Sequence, residues 1–387
     1  MTGLRWTTAG ESHGPALIGV LEGMPAGLAL DLARVDAELE RRQRGYGRGG
    51  RMKIERDRVE LLSGTRAGVT LGSPIALRIE NHDHTIERLP VPTNPRPGHA
   101  DLAGCQKYGH RDPRAVLERA SARETAARVM LGGVARQLLE RFEVELFAHV
   151  VELGGVAVRA DAWEAAAERR VELRASSEFQ CLDPECEARL RSRVDEVREA
   201  GDSLGGIFEL RVLGLPPGLG GYANATERLT GRLGGALLSI PAMKGVEFGL
   251  GFESARQPGS RVHDALVPAA DAPASASARW GRFARRSNRA GGLEGGMTTG
   301  EPLVVRVAMK PIPTLRAGLP SVEFESGQAV RATYQRSDVT SVPAASVVGE
   351  AVAALVLASA FLEKFGGDSL DQVRRAFDLW CDEVRGL

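Results

Sequence analysis

The segment spanning residues 344–365 is the feature that most constrains the fold. The sequence predicts a helix here, and it is the most apolar helix of the chain. A helix that is apolar on every side has no face suited to solvent. In a chain of 387 residues, which is long enough to bury a large core, we therefore expect this helix to form a buried layer.

Alternation of strands and helices along the rest of the chain predicts a mixed fold. Period-two patterns and apolar runs bounded by turn residues indicate the strands, and 3.6-residue patterns with capping residues indicate the helices. The predicted strands are 4–9, 59–63, 75–80, 144–158, 207–213, 246–252 and 302–309. The predicted helices are 32–44, 113–142, 161–174, 184–200, 226–239, 344–365 and 369–384, and residues 253–300 are predicted to be irregular.

Bulk composition disfavours several classes of protein. Fifty basic and fifty acidic residues give zero net charge, whereas nucleic-acid-binding domains usually carry a net basic charge. The four cysteines lack metal-ligand spacing with histidine and predict free thiols in a reducing cytoplasm. No apolar run reaches the roughly 20 residues needed to span a membrane, and no export signal is visible. We expect a cytoplasmic protein without nucleic-acid or membrane partners.

Residues 41–53, the basic segment, hold six basic residues and no acidic one. Its glycines would let the backbone and guanidinium groups close around an anion. Arg41, Arg42 and Arg44 fall on the last turn of a predicted helix, where cations complement the helix dipole. That role does not explain Arg48, Arg51 and Lys53, which lie beyond the predicted helix in a glycine-rich loop. Two partners remain open at this point, a polyanion such as RNA or a small, multiply charged metabolite.

Several histidines lie in loops along the chain. His13 lies between glycines at a strand end, and His99 follows the proline-stiffened Arg96, so both could be presented rigidly for proton transfer. His82, Asp83 and His84 invite a metal interpretation, but adjacent positions on an extended chain point in opposite directions. We interpret residues 81–84 as a solvated loop.

Arginines and histidines therefore recur in loops throughout the chain. Guanidinium groups bind phosphate and carboxylate in a bidentate manner. The sequence contains no Walker-type loop, no Rossmann glycine fingerprint and no Ser-His-Asp order. These residues predict an enzyme that acts on a small phosphorylated acid.

Motifs spread over nearly the whole chain resemble the chorismate synthase family. Residues 10–14 with 22–25 resemble the N-terminal signature of that family, 118–125 its central signature, and 336–338 with 350–352 its C-terminal signature. Residues 41–53, 96–101, 245–252, 291–299 and 310–314 also match. Residues 161–200 carry no such motif, and we interpret the two charged helices predicted there as peripheral.

This resemblance implies the last step of the shikimate pathway. In that reaction 5-enolpyruvylshikimate 3-phosphate loses phosphate and a ring hydrogen in an anti-1,4-elimination to give chorismate. The family requires reduced FMN although no net redox change occurs, and NADPH is a candidate reductant. No reductase module is recognisable in the chain, so an external flavin reductase is expected.

The resemblance also implies roles for particular residues. His13 would protonate the flavin, His99 would assist the departing phosphate as an acid, and Asp338 would help the flavin accept the ring hydrogen. Substrate anions would be held by Arg42, Arg48 and Arg96, although the family also credits the first two positions with nicotinamide-nucleotide contacts. Flavin-contacting positions would be Arg119, Ala120, Ser121, Pro241, Ala242, Gly295, Lys310, Pro311, Ile312, Pro313, Thr314 and Arg336.

Two of these positions depart from the family pattern. Position 120 is often Ser in the family and is Ala here, and position 241 is often Asn and is Pro here. A contact at Pro241 would therefore come from the backbone. The family fold implied for residues 1–387 is α+β, a β-α-α-β sandwich forming one compact domain, assembled as a homotetramer.

Two alternative functions remain open. An RNA-binding protein using the basic segment would show an affinity that falls steeply with salt. A flavin-independent phosphate lyase would form product equally well without FMN.

Overall fold

The computed structural model describes residues 3–49, 55–272, 278–333 and 338–386. Strands and helices alternate along the chain, as the sequence predicted. The strands are β1 Arg5–Ala9, β2 Ala16–Glu22, β3 Val59–Leu61, β4 Thr65–Arg66, β5 Val69–Thr70, β6 Ile75–Glu80, β7 Glu145–Leu153, β8 Val156–Ala157, β9 Gly206–Leu213, β10 Met243–Phe248, β11 Leu266–Pro268, β12 Phe283–Arg285, β13 Leu293–Glu294, β14 Met297–Thr298, β15 Leu303–Met309, β16 Pro320–Val322 and β17 Ala329–Arg331.

The helices include the apolar segment predicted near the C-terminus. They are α1 Leu32–Gln43, α2 Asp101–Tyr108, α3 Arg114–Ala120, α4 Thr125–Glu140, α5 Ala162–Ala165, α6 Arg170–Ser176, α7 Glu187–Glu199, α8 Leu229–Leu238, α9 Val342–Phe365 and α10 Leu370–Arg385. Helix α1 begins where Asp31 accepts a hydrogen bond from Ala33 N, and α10 begins with a capping box formed by Ser369 and Gln372.

Two antiparallel sheets enclose a double layer of helices. One sheet has the strand order β1-β2-β6-β3, and the other has the order β10-β15-β9-β7-β8. Helix α4 packs on the first sheet and α9 on the second, and the two helices pack against each other. Alternate residues of β2 and β9 are buried, as expected for strands with one face toward a core. This arrangement is the β-α-α-β sandwich, so the predicted fold class is confirmed.

Helix α9 is the buried layer that the sequence predicted. Twenty-one of its 24 residues are buried, and they include an acidic residue, Glu350. Contrary to the sequence expectation, this helix is long and apolar enough to cross a membrane by length and composition alone. Its burial inside the sandwich accounts for that composition, since both of its faces contact protein.

The long helix predicted over residues 113–142 is interrupted. It consists of α3, a 3₁₀ turn at Ala122–Glu124 and α4. Ser121 adopts an extended conformation, and its Oγ accepts a hydrogen bond from Arg123 N. A serine side chain that competes for backbone hydrogen bonds favours such a break, which the apolar periodicity did not show.

The strand predicted over residues 246–252 lies earlier in the chain. β10 ends at Phe248 because Gly249 and Gly251 adopt left-handed conformations, with φ of 57° and 53°. Residues 253–300 contain short strands and 3₁₀ turns rather than one irregular loop.

The segment between β8 and β9 covers the second sheet. Trp163 of α5 packs edge-on against Phe147 of β7, on the opposite side of the sheet from α9. Helix α7 packs its buried Leu190 and Val194 in a cluster that includes Val342, the first residue of α9. These helices are peripheral in position, as predicted, but they contribute two buried clusters to the fold.

Candidate active site

A cavity of about 1230 Å³ brings together segments that are far apart in the sequence. The break after α3 forms part of the cavity wall. At Ser121 the chain is extended rather than helical, and Ala120 and Ala122 on either side of it line the cavity. Fifteen of the predicted site residues line this cavity: His13, Arg42, Arg48, Arg96, His99, Arg119, Ala120, Ser121, Pro241, Ala242, Lys310, Ile312, Pro313, Thr314 and Asp338.

Three predicted positions are not among the described residues that line the cavity. Gly295 forms the turn between β13 and β14 with a φ of 59°. Pro311 stands between two lining residues but does not line the cavity itself. Arg336 lies outside the described residues, as do Gly50, Arg51 and Lys53 of the basic segment.

His13 contacts the carboxylate of Glu118. Its ring Nδ1 lies 2.8 Å from Glu118 Oε2, and the same oxygen accepts a hydrogen bond of 2.9 Å from His13 N. Burial opposes the ionisation of Glu118, but hydrogen bonds from His13 outweigh it and lower the pKa of Glu118. A carboxylate can only accept, so Nδ1 carries the hydrogen and Nε2 remains for other partners.

His99 has the same kind of partner in Asp101. Its Nδ1 lies 2.6 Å from Asp101 Oδ1, and the guanidinium of Arg96 donates to both oxygens of Asp101 at 2.8 and 3.0 Å. Burial opposes the ionisation of Asp101, but hydrogen bonds from His99 and Arg96 hold its pKa well below the usual range. This triad presents a guanidinium and an imidazole side by side, and the Nε2 of His99 remains for a ligand.

The arginines of the basic segment point in different directions. Arg48 pairs with Asp338 at 3.0 Å, and Asp338 also accepts a hydrogen bond from Gly49 N. Arg42 donates to Thr125 Oγ1 and Ala122 O in the cavity wall, and burial lowers its pKa to about 10. Arg41 points away from the cavity, toward Glu350, and Arg44 is exposed on the surface.

Lys310 and Ala242 meet at another part of the wall. Lys310 N donates to Ala242 O at 3.0 Å, and Lys310 Nζ donates to Gly98 O at 2.5 Å, which ties this strand end to the loop of His99. Ala242 has a φ of 71°, an uncommon conformation for a residue with a Cβ. Such a conformation costs roughly 1–3 kcal/mol and is found most often at functional sites.

The guanidinium of Arg119 forms hydrogen bonds with the protein backbone. It donates to Gly10 O and Thr8 O at 2.9 Å, at the end of β1. Ser121 Oγ lies 3.2 Å from Ser12 Oγ. These contacts fix the glycine-framed loop of His13 against the helix break.

Asp83 and Glu118 belong to the site, although the sequence interpretation assigned a role to neither. The expected solvated loop at residues 81–84 is wrong for Asp83, which lines the cavity with its Oδ2 3.7 Å from His13 Nε2. Asn81, also in that loop, is fully buried and donates to Gly14 O. The His-x-Asp spacing at His99 and Asp101 was a usable local signal, but no local signal joins Glu118 to His13, 105 residues away.

The fold and the cavity together define an enzyme that binds a small, multiply charged anion. Guanidinium groups and two carboxylate-oriented imidazoles line one cavity, which suits anion binding combined with proton transfer.

Comparisons with known proteins agree with this class. A family model described as chorismate synthase matches residues 4–362. The chain is 52% identical over 402 residues to chorismate synthase of Trichlorobacter lovleyi, covering 99% of this chain and 100% of that protein. It is 54% identical over 395 residues to chorismate synthase of Desulforudis audaxviator, covering 99% and 98%. A crystal structure of a chorismate synthase superimposes with a TM-score of 0.80 at 42% identity, covering 99% and 98%.

The chain belongs to the chorismate synthase family. It is therefore a carbon–oxygen lyase acting on phosphate, and its reaction is the last step of the shikimate pathway. The resemblance inferred from the signature motifs is confirmed over the length of the chain.

Proposed function

We propose that the cavity holds 5-enolpyruvylshikimate 3-phosphate beside reduced FMN and that His13, His99 and Asp338 handle the protons of the elimination. The observation that carries this proposal is the convergence of two histidines on one cavity. Each of them has Nδ1 on a buried carboxylate, and the Nε2 of His13 lies 3.7 Å from Asp83, another residue of the cavity wall.

The cavity has room and donors for a flavin as well as a substrate. Sites for a single small ligand are usually about 300–1,000 Å³, and this cavity has about 1230 Å³. Arg42 lines the cavity wall with Arg48 and Arg96, although its buried Nη1 already faces Asp57 Oδ2 at 3.8 Å. Bound reduced FMN would supply electron density as phosphate leaves and recover it as the ring hydrogen departs.

Residues on two sides of the cavity would hold the flavin. Ala120 and Ser121 at the helix break form one side, and Ala242 with Lys310 and Thr314 forms the other. With Pro at position 241 the contact there comes from the backbone, and the left-handed Ala242 beside it determines where that backbone points. Arg119 would act by holding the loop of His13, since its guanidinium is already bonded to Thr8 O and Gly10 O.

Arginines would hold the phosphate and the two carboxylates of the substrate. Arg48 and Arg96 each present part of a guanidinium to the cavity while an aspartate orients the rest. Arg96 Nη2 lies 3.0 Å from His99 Nδ1, so the two side chains are adjacent, and His99 would give a proton from its Nε2 to a phosphate held by this guanidinium. His13 would hold and move a proton at its own Nε2, and Asp338 would accept one at its carboxylate.

Membership of this family supports several further proposals. We propose that residues 1–387 form a single domain, that the protein is a cytoplasmic homotetramer, and that an external flavin reductase supplies reduced FMN. NADPH remains a candidate reductant.

Anaerobic turnover tests the proposal. Chorismate formation from 5-enolpyruvylshikimate 3-phosphate is measured with pre-reduced FMN, with oxidised FMN plus NADPH, and without flavin. We expect product only with pre-reduced FMN. Equal rates without flavin would support the flavin-independent lyase, and turnover with NADPH and oxidised FMN alone would contradict the external reductase.

A further inference from the structure

Glu118 contacts the backbone of the loop that carries His13 as well as the imidazole ring of His13. Its Oε2 accepts hydrogen bonds from both the backbone N and the Nδ1 of His13. Its backbone carbonyl accepts a third from Ser12 N at 3.0 Å, and its Oε1 lies 3.3 Å from Arg114 Nη1. The carboxylate has no solvent-exposed area, so all its contacts are internal. The loop carrying His13 is therefore attached to Glu118 at three points.

The position of these contacts decides which ring nitrogen faces the ligand. An ionised carboxylate accepts hydrogen bonds and cannot donate them, so the Nδ1 beside Glu118 Oε2 must carry a hydrogen. Nε2 is then the nitrogen that can take up a proton and pass it to a ligand. It points toward Asp83, at 3.7 Å, and this carboxylate is partly exposed at the cavity wall.

We propose that Glu118 is the positioning residue of His13, holding its imidazole in the Nδ1–H tautomer with Nε2 toward the cavity. The proposal rests on the proposed proton-transfer role of His13. The groups facing the imidazole are Glu118 on one side and Asp83 on the other, with Arg114 behind Glu118. A third group that orients a catalytic base or acid is a general feature of such sites.

Glu118→Gln is an informative change because an amide cannot satisfy both neighbours. With its oxygen toward His13, its NH₂ group faces Arg114 Nη1, donor against donor. With its NH₂ group toward His13, that group opposes the backbone N–H of His13 and can bond to Nδ1 only if Nδ1 is unprotonated, so the imidazole changes tautomer. In either orientation the constraint on the ring is weakened, while the size of the side chain is kept.

The first measurement is made without flavin or substrate. Solid-state NMR of protein with ¹⁵N-labelled histidine distinguishes protonated from unprotonated ring nitrogens, and comparison with His13→Gln assigns the His13 signals. We expect an Nδ1–H imidazole in the unaltered protein and a mixture of tautomers in Glu118→Gln and Glu118→Ala. The control is Glu140→Gln, which removes another ion-paired glutamate, at the far end of α4. Its His13 signals should be unchanged.

The second measurement is turnover with pre-reduced FMN. General acid–base groups contribute 10²–10⁴-fold to rates, so loss of orientation should lower kcat of Glu118→Gln by about 10- to 100-fold. We expect KM to change by less than about twofold, because Glu118 itself does not bind an anion. A purely structural role would leave the tautomer unchanged.

The outcomes separate this inference from the proposed function. An unchanged Nδ1–H tautomer in both Glu118 variants overturns the inference, and so does unchanged kcat in a variant whose tautomer has shifted. Full turnover by His13→Gln overturns the proposed role of His13 instead, and the NMR result for Glu118 is independent of it.

Discussion

At the scale of single residues, the two site histidines owe their orientation to buried acids. Asp101 stands two positions after His99 in the chain, while Glu118 reaches His13 from 105 residues away. In both pairs the acid binds Nδ1 and is almost completely buried. The chemistry of each imidazole is therefore determined by its carboxylate partner as well as by its own loop.

His99→Ala should lower kcat strongly and leave FMN binding nearly intact. Removing a general acid is expected to cost about 100-fold or more in kcat, whereas Arg96 and Asp101 can still pair without the imidazole. Turnover and the fluorescence of titrated FMN measure the two effects. His110→Ala is the matched control, because His110 is an exposed loop residue. Loss of FMN affinity in His99→Ala would show that its role is cofactor binding.

Arg48→Ala should weaken substrate binding, and Arg44→Ala should not. The side chain of Arg48 is 10% exposed at the cavity, and that of Arg44 is 61% exposed and pairs with Glu40. A hydrogen bond to a charged group contributes about 1.5–3 kcal/mol, so KM for the substrate should rise about 10- to 100-fold in Arg48→Ala. Steady-state kinetics with saturating reduced FMN measures this. Similar increases in both variants would indicate a general electrostatic attraction.

Arg51, another arginine of the basic segment, lies outside the described residues. The burial of the described arginines disfavours the alternative that the basic segment binds RNA. Arg41, Arg42 and Arg48 have side chains that are 15%, 6% and 10% exposed and are paired with internal acids. Such arginines are poorly placed to follow a polymer backbone, and a small anion inside the cavity suits them better.

At the scale of elements, the buried carboxylate of Glu350 in α9 contacts four other elements, which are α1, α4, α6 and β7. Its carboxylate contacts Arg41 of α1 at 2.5 Å, Arg136 of α4 at 2.9 Å and Arg174 of α6 at 2.7 Å. It also accepts a hydrogen bond from Ala148 N in β7. Burial opposes its ionisation, but the three arginines outweigh burial and lower the pKa of Glu350. Arg174 of α6 belongs to the segment 161–174 that the sequence analysis interpreted as peripheral, yet its guanidinium reaches Glu350 in the core.

Glu350→Gln should destabilise the fold at neutral pH by about 3 kcal/mol or more, because three buried arginines lose the carboxylate that they share. Glu363→Gln on the same helix breaks a partly exposed pair with Arg232 and should cost under about 1 kcal/mol. Urea unfolding at pH 7 measures both. Equal losses in the two variants would contradict the special role of Glu350.

The effect of Glu350 should also depend on pH. Because its pKa in the folded protein is lowered, the stability it contributes is fully present above the ordinary glutamate pKa, and it is lost as pH falls toward the folded value. The difference in unfolding free energy between the unaltered protein and Glu350→Gln should therefore shrink below about pH 4.5. A difference that stays constant as the pH is lowered would contradict this.

At the scale of the whole molecule, the close approach of α4 to α9 holds the two halves of the sandwich together. A Cβ placed on Gly132 would lie 2.5 Å from the backbone of Ala351. The helices can therefore pack this closely only because position 132 has no side chain.

Gly132→Ala should destabilise the protein by about 1–3 kcal/mol through overpacking, despite the better helix propensity of alanine. Gly235→Ala is the control. Gly235 lies on the exposed face of α8, and a Cβ added there would meet nothing within 4 Å, so the change should be neutral or stabilise slightly. Thermal and urea unfolding of both variants measure the effect. A stabilised Gly132→Ala protein would show that the two layers can separate without cost.

Much of the fold was predictable because the relevant signals are local. β6 and α9 lie within two residues of the predicted bounds, since apolar periodicity and capping residues act over a few positions. The break at Ser121 was missed because the apolar face continues through it, and the break is stabilised by the contact of Ser121 with Ser12, a residue of another segment. That break is what exposes Ala120 and Ala122 to the cavity.

By itself, the sequence determined the family, the class of reaction and the buried central helix. Signature motifs and an all-apolar helix are properties of consecutive residues, so they can be recognised without a structure. Only the tertiary structure decided that Arg48 faces the cavity while Arg41 faces Glu350, and that Glu118 and Asp101 orient the two histidines. Pairing and burial of charges depend on which distant segments pack together, and desolvation makes those pairings specific.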